Sequence, residues 1–356
     1  MKNICFMGFN LLTVSGCQKV TVSLANVLSK NNNVHLLSLC KLPNEKCYNA
    51  NNNIQISSFN LSPDVRVRES LGQAFNLVKF LNSNNIDILI LSGVSAIPMI
   101  AIIKPFIKCK VIFWDHENLA GRDKKSILFR KLACKVSDKT VVLSEQTLKD
   151  YKSYFKIENN KIEQIYNYTD FQNNNQCNLN SKKIISVGRI NPEKGFDMAV
   201  DVARKVFKKH NDWQWDIYGD GTDFNKITGK IKEYGLENNL ILKGNDNNIR
   251  EKYKDYSIFV LPSYREGFAL VLLEAKMNKL PVVSFDCNAG PNEIINDGVD
   301  GYLIPCYNKD EMCKKICELI ENKSLRAKFS EHSQDNLYKF GKEKIISKWN
   351  KLLSEI

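Results

Sequence analysis

The sequence lacks any apolar run of the ~20 residues that a membrane-spanning helix needs. Apolar stretches such as residues 86–91 and 97–103 are short and interrupted, as buried strands and helices are. The first residues, MKNICFMGFNLL, carry one Lys, and no small-residue cleavage pattern follows them. They predict a buried first strand rather than a signal peptide. These absences predict a cytoplasmic protein.

Patterns that bind metals are also missing. The 356 residues include 11 Cys and only four His, with no CxxC, so a zinc site is not expected. Cys313 and Cys317 lie four residues apart, but no second pair matches them, and the cysteines are read as reduced, buried thiols. Four aspartates in or beside Gly-containing turns favour turn chemistry over metal binding: Asp220, Asp223, Asp297 and Asp300.

The net charge of +12 is placed unevenly along the chain. Residues 1–178 hold 22 Lys and Arg against 13 Asp and Glu, whereas the remainder is nearly balanced. A basic first half suits an anionic partner, such as a lipid surface or a phosphorylated acceptor. Nucleic acid is not expected, because no recognition motif accompanies the charge. The basic residues of the stretch 104–139 are each interpreted as part of a solvated face.

Short apolar strands alternate with amphipathic helices throughout, which predicts two parallel sheets with helices on both faces. Because 356 residues exceed a usual single core, we expect domains at residues 1–172 and 181–335, with a last helical segment at 336–356 packing across their junction. The Asn-rich residues 171–180 are predicted to be the linker. Predicted helices include residues 17–29, 67–81, 126–136, 196–208, 224–234, 268–277 and 311–320.

The sharpest motif is SVGRINPEKGF at residues 186–196. A predicted strand ends near Gly188, Arg189 leaves the strand end, and Lys194 stands just before a predicted helix. A guanidinium and an ammonium that converge on one spot suit a diphosphate without a metal. The alternative is an ordinary strand–turn–helix with exposed basic residues.

The second motif is SYREGFALVLLEA at residues 263–275. Glu266 closes a loop and Gly267 opens a predicted helix, whose first amides can receive an anion. Glu274 is predicted two turns into that helix among apolar residues, where a buried carboxylate needs donors such as ribose hydroxyls. The alternatives are that Glu266 caps the helix and that Glu274 lies on a solvated face.

Together the two motifs resemble the retaining, nucleotide-sugar-dependent glycosyltransferases of family 4. Glu266 and Glu274 have the E-x7-E spacing of that family, and Arg189 and Lys194 match its two diphosphate-binding cations. The resemblance is strong over residues 183–305, which include IYGDG and NAGPNEIINDGVDGYLIP, and weaker over the first domain. It implies an α/β, GT-B fold: two doubly wound, Rossmann-like domains facing across a cleft, the first binding acceptor and the second binding donor.

The resemblance also implies roles for residues of the second domain. Arg189 and Lys194 would neutralise the donor diphosphate, and Glu274 would bind the ribose hydroxyls. Glu266, with the backbone amides that follow it, would hold the transferred sugar and the distal phosphate. Asn245, in the loop of residues 242–245, would lie near the base. The implied donor-binding set is Gly16, Arg189, Lys194, Asn245, Glu266, Gly267, Phe268, Ala269, Leu270 and Glu274.

In the first domain the resemblance rests on TVSGC at residues 13–17 and WDHEN at 114–118. The family commonly has a Gly pair at the former, whose backbone approaches the donor phosphate; Ser15 replaces the first, so Gly16 alone carries over. A left-handed turn at Gly16 is the alternative. His116 would face the transferred sugar, and its neighbours Asp115 and Glu117 would orient the acceptor or lie in solvent. The implied catalytic set is Glu266, His116, Arg189 and Lys194.

The resemblance implies retaining transfer by front-face attack, without metal or cofactor. A UDP-sugar donor carrying a hexose or N-acetylhexosamine is favoured, with a glycan or lipid-linked acceptor in surface polysaccharide synthesis (O-antigen, capsule or lipopolysaccharide). The acceptor type and the basic first domain make an anionic membrane surface a further expected partner, with a peripheral location on it. The alternatives are a GDP-mannose-dependent mannosyltransferase, a GT-B epimerase or phosphorylase, and a non-catalytic partner subunit.

Overall fold

The apolar runs of the sequence form two parallel sheets in the computed structural model, which describes residues 1–11, 15–41, 49–62, 72–168 and 176–356 (the side chain of Asn60 excepted). The chain divides into two compact units. The first contains Met1–Tyr168 and Lys342–Ile356, and the second contains Thr169–Gly341. The prediction of two doubly wound α/β units is confirmed.

The first sheet has the strand order β3-β2-β1-β4-β5-β6-β7, and all its neighbouring strands are parallel. Its strands are β1 Asn3–Gly8, β2 Asn33–Cys40, β3 Gln55–Leu61, β4 Ile88–Ser92, β5 Lys110–Trp114, β6 Lys139–Val142 and β7 Ile162–Gln164. Met7 in β1 lies opposite Leu37 on one side and Leu91 on the other. All three are buried, as expected for central strands covered on both faces.

The second sheet has the order β10-β9-β8-β11-β12-β13 and is also parallel. Its strands are β8 Lys183–Val187, β9 Gln214–Tyr218, β10 Leu240–Gly244, β11 Ile258–Leu261, β12 Val282–Asp286 and β13 Gly301–Pro305. The short apolar strands that the sequence predicts thus form these two parallel sheets.

The helices are α1 Gly16–Leu28, α2 Ala74–Ser83, α3 Ile97–Ile103, α4 Lys124–Val136, α5 Glu145–Phe155, α6 Phe196–Phe207, α7 Phe224–Glu233, α8 Ile249–Lys252, α9 Leu270–Met277, α10 Pro291–Ile294, α11 Lys309–Glu321, α12 Lys323–His332 and α13 Lys342–Glu355. Within the described ranges, none of them has the length and hydrophobicity that crossing a bilayer requires.

Two predicted helix boundaries are corrected. The helix predicted at residues 67–81 starts at Ala74 within the described ranges, and residues 67–71 lie outside them. The helix predicted at 268–277 starts at Leu270, because Ala269 has φ +57° and ψ +56° and cannot continue a right-handed helix. Residues 171–175 of the predicted linker also lie outside the described ranges.

The final helix, α13, belongs to the first unit. Its Trp349 packs edge-on against Trp114 at the end of β5, with ring centroids 4.9 Å apart. The ammonium of Lys2, at the start of the chain, donates to the carbonyl of Leu353, 2.5 Å away. The predicted terminal segment began at residue 336; residues 337–340 form a short 3-10 helix instead, and α13 begins at Lys342.

Each sheet has one point where the strand order reverses: between β1 and β4 in the first, and between β8 and β11 in the second. Connections leave such a pair toward opposite faces, so a crevice opens at the carboxyl ends of the two strands. In the second sheet the two sequence motifs follow β8 and β11. In the first sheet the start of α1 and Ser92 stand at this point.

Candidate active site

The loops that follow β8, β9 and β11 are in backbone contact with one another. A Cβ on Gly195, which has φ +64°, would lie 2.0 Å from the carbonyl oxygen of Pro262. A Cβ on Gly219, which has φ +141°, would lie 1.9 Å from the carbonyl oxygen of Gly188. Glycine at these two positions therefore lets the loops close on each other. The amide of Tyr264 also donates to the carbonyl of Glu193, at 3.2 Å.

This loop contact brings the two sequence motifs together through Lys194 and Glu266. Lys194 Nζ lies 2.6 Å from Glu266 Oε1, although the residues are 72 positions apart. The Glu266 side chain is 7% exposed and that of Lys194 is 25% exposed. A carboxylate this deeply buried requires a cation, so the pair holds the ammonium at a fixed place.

Arg189 lies in the same loop as Lys194, two residues after β8 ends, and it is exposed. The carbonyl of Arg189 accepts a hydrogen bond from the amide of Asn191 at 2.9 Å, which turns the loop back toward the strand end. The Lys194 side chain follows this turn: its Cδ would be 4.0 Å from a Cβ placed on Gly188. Both cations thus belong to the carboxyl end of β8.

Glu274 is buried, at 3% exposure, so the alternative of a solvated face is wrong. The Tyr253 hydroxyl donates to Glu274 Oε2 at 3.2 Å. Burial and the neighbouring carboxylate raise the pKa of Tyr253 well above its ordinary value, so the phenol stays protonated and remains a donor. Glu274 is the fifth residue of α9 and so lies just over one turn in, rather than two.

The backbone amides at the start of α9 include that of Leu270, a member of the predicted donor-binding set. Ala269 precedes the helix in a left-handed conformation, and α9 has no side-chain cap there. The first amides of a helix have no carbonyl partner within it, so those of Leu270 and Val271 suit an anion. The Phe268 side chain is buried against Phe340, with ring centroids 5.5 Å apart. The ring of Phe268 is therefore packed inside the protein.

Asn245 follows β10, the edge strand of the second sheet, and is exposed. The amide of Gly219 donates to the carbonyl of Gly244 at 2.8 Å, which ties the loop after β10 to the loop after β9. Asn245 therefore lies, like Arg189, beyond the carboxyl ends of the parallel strands, and the strands they follow, β10 and β8, are two positions apart in the sheet.

In the first unit, Gly16 opens α1, and Ser15 caps the helix by accepting from the amide of Gln18 at 3.2 Å. The alternative of a left-handed turn is wrong, because the φ of Gly16 is not positive. A Cβ placed on Gly16 would meet no described atom within 4 Å. The helix start is thus open to a ligand on that side; residues 13 and 14 of the motif lie outside the described ranges.

His116 follows β5 and lies over Trp114, with ring centroids 4.3 Å apart. Its Nε2 is 3.2 Å from Ser92 Oγ, whereas its Nδ1 is buried and has no hydrogen-bond partner among the described residues. Burial lowers the pKa of His116 to about 4, although nearby Asp115 acts in the opposite direction. The imidazole is therefore neutral at pH 7.

Asp115 cannot orient an acceptor, which corrects that expectation. It is 1% exposed, and Arg130 Nε lies 2.7 Å from its Oδ2. The Tyr151 hydroxyl donates to the same oxygen. Arg130 is equally buried and also pairs with Glu117 at 2.6 Å, so the solvated-face interpretation is wrong for this arginine. Glu117 is 48% exposed and also pairs with Arg122.

The aspartates considered for metal binding have protein partners. Asp220 accepts from the amide of Gly221 and Asp297 from the amide of Leu303, as turn residues do. Asp300 accepts from the amide of Asn296 and is also buried beside Lys276, 2.8 Å away. In the part of the chain that the structure describes, no three His, Cys, Asp or Glu residues are grouped as metal ligands.

Three comparisons with known proteins identify the class of protein to which the chain belongs. Residues 14–173 match the family described as Glycosyltransferase Family 4, and residues 167–336 match Glycosyl transferases group 1. A Staphylococcus aureus protein named poly(ribitol-phosphate) alpha-N-acetylglucosaminyltransferase is 30% identical over 346 residues, which cover 91% of this chain and 70% of that protein. The amylovoran biosynthesis glycosyltransferase AmsD of Erwinia amylovora is 28% identical over 350 residues, which cover 95% of this chain and 96% of that protein.

Solved structures extend the likeness of fold. The crystal structure of an S. aureus TarM variant in complex with fondaparinux, alpha-GlcNAc-glycerol and UDP has a TM-score of 0.82 at 19% identity, covering 99% of each chain. The family models, the relatives and the fold therefore define a glycosyltransferase of the GT-B class. The chain belongs to the family-4-like members of that class and is a transferase enzyme.

Proposed function

We propose that the enzyme transfers a hexose or N-acetylhexosamine from a UDP-sugar, with retention of configuration, to a glycan or lipid-linked acceptor in surface polysaccharide synthesis. The observation that carries this proposal is the Lys194–Glu266 pair beside the end of β8, with Glu274 buried on α9. The names of the S. aureus and E. amylovora relatives support a surface polymer as the product, and the UDP bound to TarM supports the nucleotide.

The donor diphosphate would be held by the cations of the loop after β8. Glu266 fixes the Lys194 ammonium in place, so that little reorganisation is needed as negative charge develops on the departing diphosphate. Arg189 adds a fixed, planar set of donors at the same strand end. These two cations would supply the charge that a metal ion supplies elsewhere, so we propose a metal-independent reaction without a cofactor.

The carboxylates favour front-face attack over a covalent glycosyl intermediate. Glu266 is paired with Lys194, Glu274 accepts from Tyr253, and Asp115 is paired with Arg130. Because each of these carboxylates already binds a protein donor, none of the three is proposed as a nucleophile. In the proposed mechanism an oxygen of the donor phosphate accepts the acceptor proton, while the protein positions both substrates and stabilises the leaving group.

A thermal-shift screen in EDTA tests the nucleotide and the metal together. UDP at 100-fold its Kd would stabilise the protein by about 2.7 kcal/mol, which is about 5–10 °C in Tm for a unit of this size. We expect that shift in Tm with UDP but not with GDP. We also expect Glu274→Gln to abolish it, because this change removes the carboxylate that would accept hydrogen bonds from both ribose hydroxyls. Exposed Glu237→Gln is the matched control.

The screen is followed by transfer assays with UDP-sugars, also in EDTA. Transfer at an undiminished rate supports the metal-free mechanism. A shift with GDP alone would replace the proposed nucleotide, and activity that returns only with added magnesium or manganese would overturn the metal-free mechanism. Product formed without any acceptor would indicate an epimerase.

We further propose that the layer of α2, α3 and α4 rests on an anionic membrane. α3 packs between α2 and α4. This layer exposes four large apolar side chains: Phe75, Ile102, Phe106 and Leu128. Exposed lysines accompany them: Lys108, Lys124, Lys125, Lys131 and Lys135. On α4, Leu128 stands in one helical stripe with Lys124, Lys131 and Lys135, which suits insertion of the leucine between anionic headgroups.

Vesicle co-sedimentation tests this basic–apolar surface. Each lysine near an anionic bilayer contributes about 1 kcal/mol, so changing Lys124, Lys131 and Lys135 to Ser is expected to weaken binding about 100-fold. The vesicles contain phosphatidylglycerol, with pure phosphatidylcholine for comparison. The control changes three exposed lysines of the second unit, Lys208, Lys226 and Lys232. Equal binding to both lipids, or equal losses in both triple variants, would contradict the proposal.

A further inference from the structure

A chain of hydrogen bonds links His116 to the start of α1 at the switch point of the first sheet. His116 Nε2 lies 3.2 Å from Ser92 Oγ, at the end of β4. Ser92 Oγ lies 2.8 Å from Thr21 Oγ1. The Thr21 hydroxyl in turn donates to the backbone carbonyl of Cys17, at 2.9 Å. The chain thus ends on a carbonyl oxygen, which can only accept.

That fixed end determines the direction of each bond. A hydroxyl has one proton, and the proton of Thr21 is used on the Cys17 carbonyl. The Ser92–Thr21 bond therefore requires Ser92 to be the donor. With its own proton used, Ser92 can only accept from His116, so Nε2 of His116 carries the hydrogen. If Nδ1 carried it instead, either the Ser92–Thr21 contact or the His116–Ser92 contact would lack a proton.

The remaining contact of Ser92 agrees with this order. Cys17 Sγ lies 4.0 Å from Ser92 Oγ and is placed to donate. Burial raises the pKa of Cys17 to about 12, so the thiol keeps its proton at neutral pH. Ser92 thus accepts from an imidazole and a thiol and donates once, which uses its full hydrogen-bonding capacity.

The consequence falls on the other nitrogen of His116. In a neutral imidazole with hydrogen on Nε2, Nδ1 has a lone pair and can only accept. This atom is buried and unpaired among the described residues, a condition that costs free energy. A hydrogen-bond donor from a ligand would remove that cost. A hydroxyl group is such a donor, whereas a carboxylate, which has only lone pairs, is repelled.

We propose that Ser92 and Thr21 are positioning residues that hold His116 as the Nε2–H tautomer, so that Nδ1 accepts a hydrogen bond from a hydroxyl of the transferred sugar. This inference rests on the proposed function for the identity of the ligand. It goes beyond that function by stating a donor preference. Nδ1 of His116 would favour donors that present a neutral hydroxyl to it over donors that present a carboxylate.

The tautomer is measured directly by ¹⁵N NMR of protein labelled at histidine. His116 is identified by the signals lost in His116→Asn. In the wild type we expect its Nδ1 to show the shift of an unprotonated nitrogen and its Nε2 that of a protonated one. Ser92→Ala is expected to move both signals toward an average of the two tautomers, and Ser92→Thr, which restores a hydroxyl, to return them. A protonated Nδ1 in the wild type would overturn the proposal.

Kinetics with deoxy donors tests the ligand. Among the deoxy-sugar donors, one lacks the hydroxyl that binds Nδ1. With the wild-type enzyme, its kcat/KM is expected to be about 10-fold lower than that of the complete donor. In Ser92→Ala this difference in kcat/KM should shrink. The control is Ser95→Ala, which changes an exposed serine three residues after Ser92 and should keep the difference. An unchanged difference in Ser92→Ala would contradict the positioning role.

The two measurements separate the inference from the proposed function. The NMR result requires no donor, so a confirmed Nε2–H tautomer without any UDP-sugar turnover would contradict only the function. The inference alone would be contradicted if the enzyme turns over UDP-sugar but Ser92→Ala changes the effect on kcat/KM of no deoxy position in a full set of deoxy donors.

Discussion

Changing Lys194 to Met is expected to lower kcat/KM by about 10²–10³-fold, the usual effect of removing one preorganised group that stabilises developing charge. Met keeps the length and much of the volume of the side chain but removes the ammonium that lies 2.6 Å from Glu266. If Lys194 acts on the leaving diphosphate, most of the loss appears in kcat, because the interaction strengthens as the sugar–phosphate bond breaks. Steady-state kinetics with saturating acceptor measures it.

The control for Lys194 is Lys182→Met. Lys182 also pairs with a carboxylate, that of Asp212, at 2.6 Å, but this pair lies on the surface of the same unit. Its loss is expected to leave kcat unchanged. The double variant Lys194→Met/Glu266→Gln removes both charges of the pair, and we expect its kcat to stay low. Recovery of normal turnover in this double variant would disprove the role of Lys194.

Changing Lys276 to Met is expected to lower the free energy of unfolding by about 3–5 kcal/mol, because Asp300 then remains as a buried, unpaired charge. Neither side chain of this pair has any exposed surface. The ammonium donates to the Ile294 carbonyl, to Asp300 and to Asn336, so all three of its hydrogens are used. Burial lowers the pKa of Lys276 and raises that of Asp300, since each charge is held out of water. Urea denaturation followed by circular dichroism gives the change.

Two further variants decide whether the unpaired charge is the cause. Lys205→Met breaks a surface pair with Asp310 on the same unit and is expected to change stability by less than about 1 kcal/mol. Lys276→Met/Asp300→Leu removes both buried charges and is expected to regain most of the lost stability. A double variant no more stable than Lys276→Met would mean that the packing of the lysine stem, not its charge, matters.

The fold was predictable because its signal is local. Strands covered on both faces are continuous apolar runs, and such runs form the strands of both sheets. The burial of Glu274 was likewise predictable from its apolar neighbours in the sequence. The exact start of α9 was not, since nothing in GFALVLLEA marks Ala269 for a left-handed conformation, which tertiary contacts impose.

What the sequence hid is the pairing of buried polar groups. Arg130 lay in a run of basic residues whose other members gave no reason to treat it separately, yet it meets Asp115, 15 positions away. Lys276 stands beside Met277 in an apolar helix and reaches Asp300 and Asn336. Composition and spacing show that such groups exist, but only the crossing of distant loops decides which of them meet. The Ser92–Thr21–His116 chain has the same origin, since its members come from three separate elements.

The return of α13 to the first unit has a consequence for biosynthesis. On a ribosome, the strands of the first sheet emerge before the second unit, but their covering by Trp349 and the bond from Lys2 to Leu353 must wait until residues 342–356 have been made. The second unit, contiguous from Thr169 to Gly341, has all of its segments available earlier. Nascent chains should therefore acquire protease resistance over residues 169–341 before residues 1–168 become fully protected.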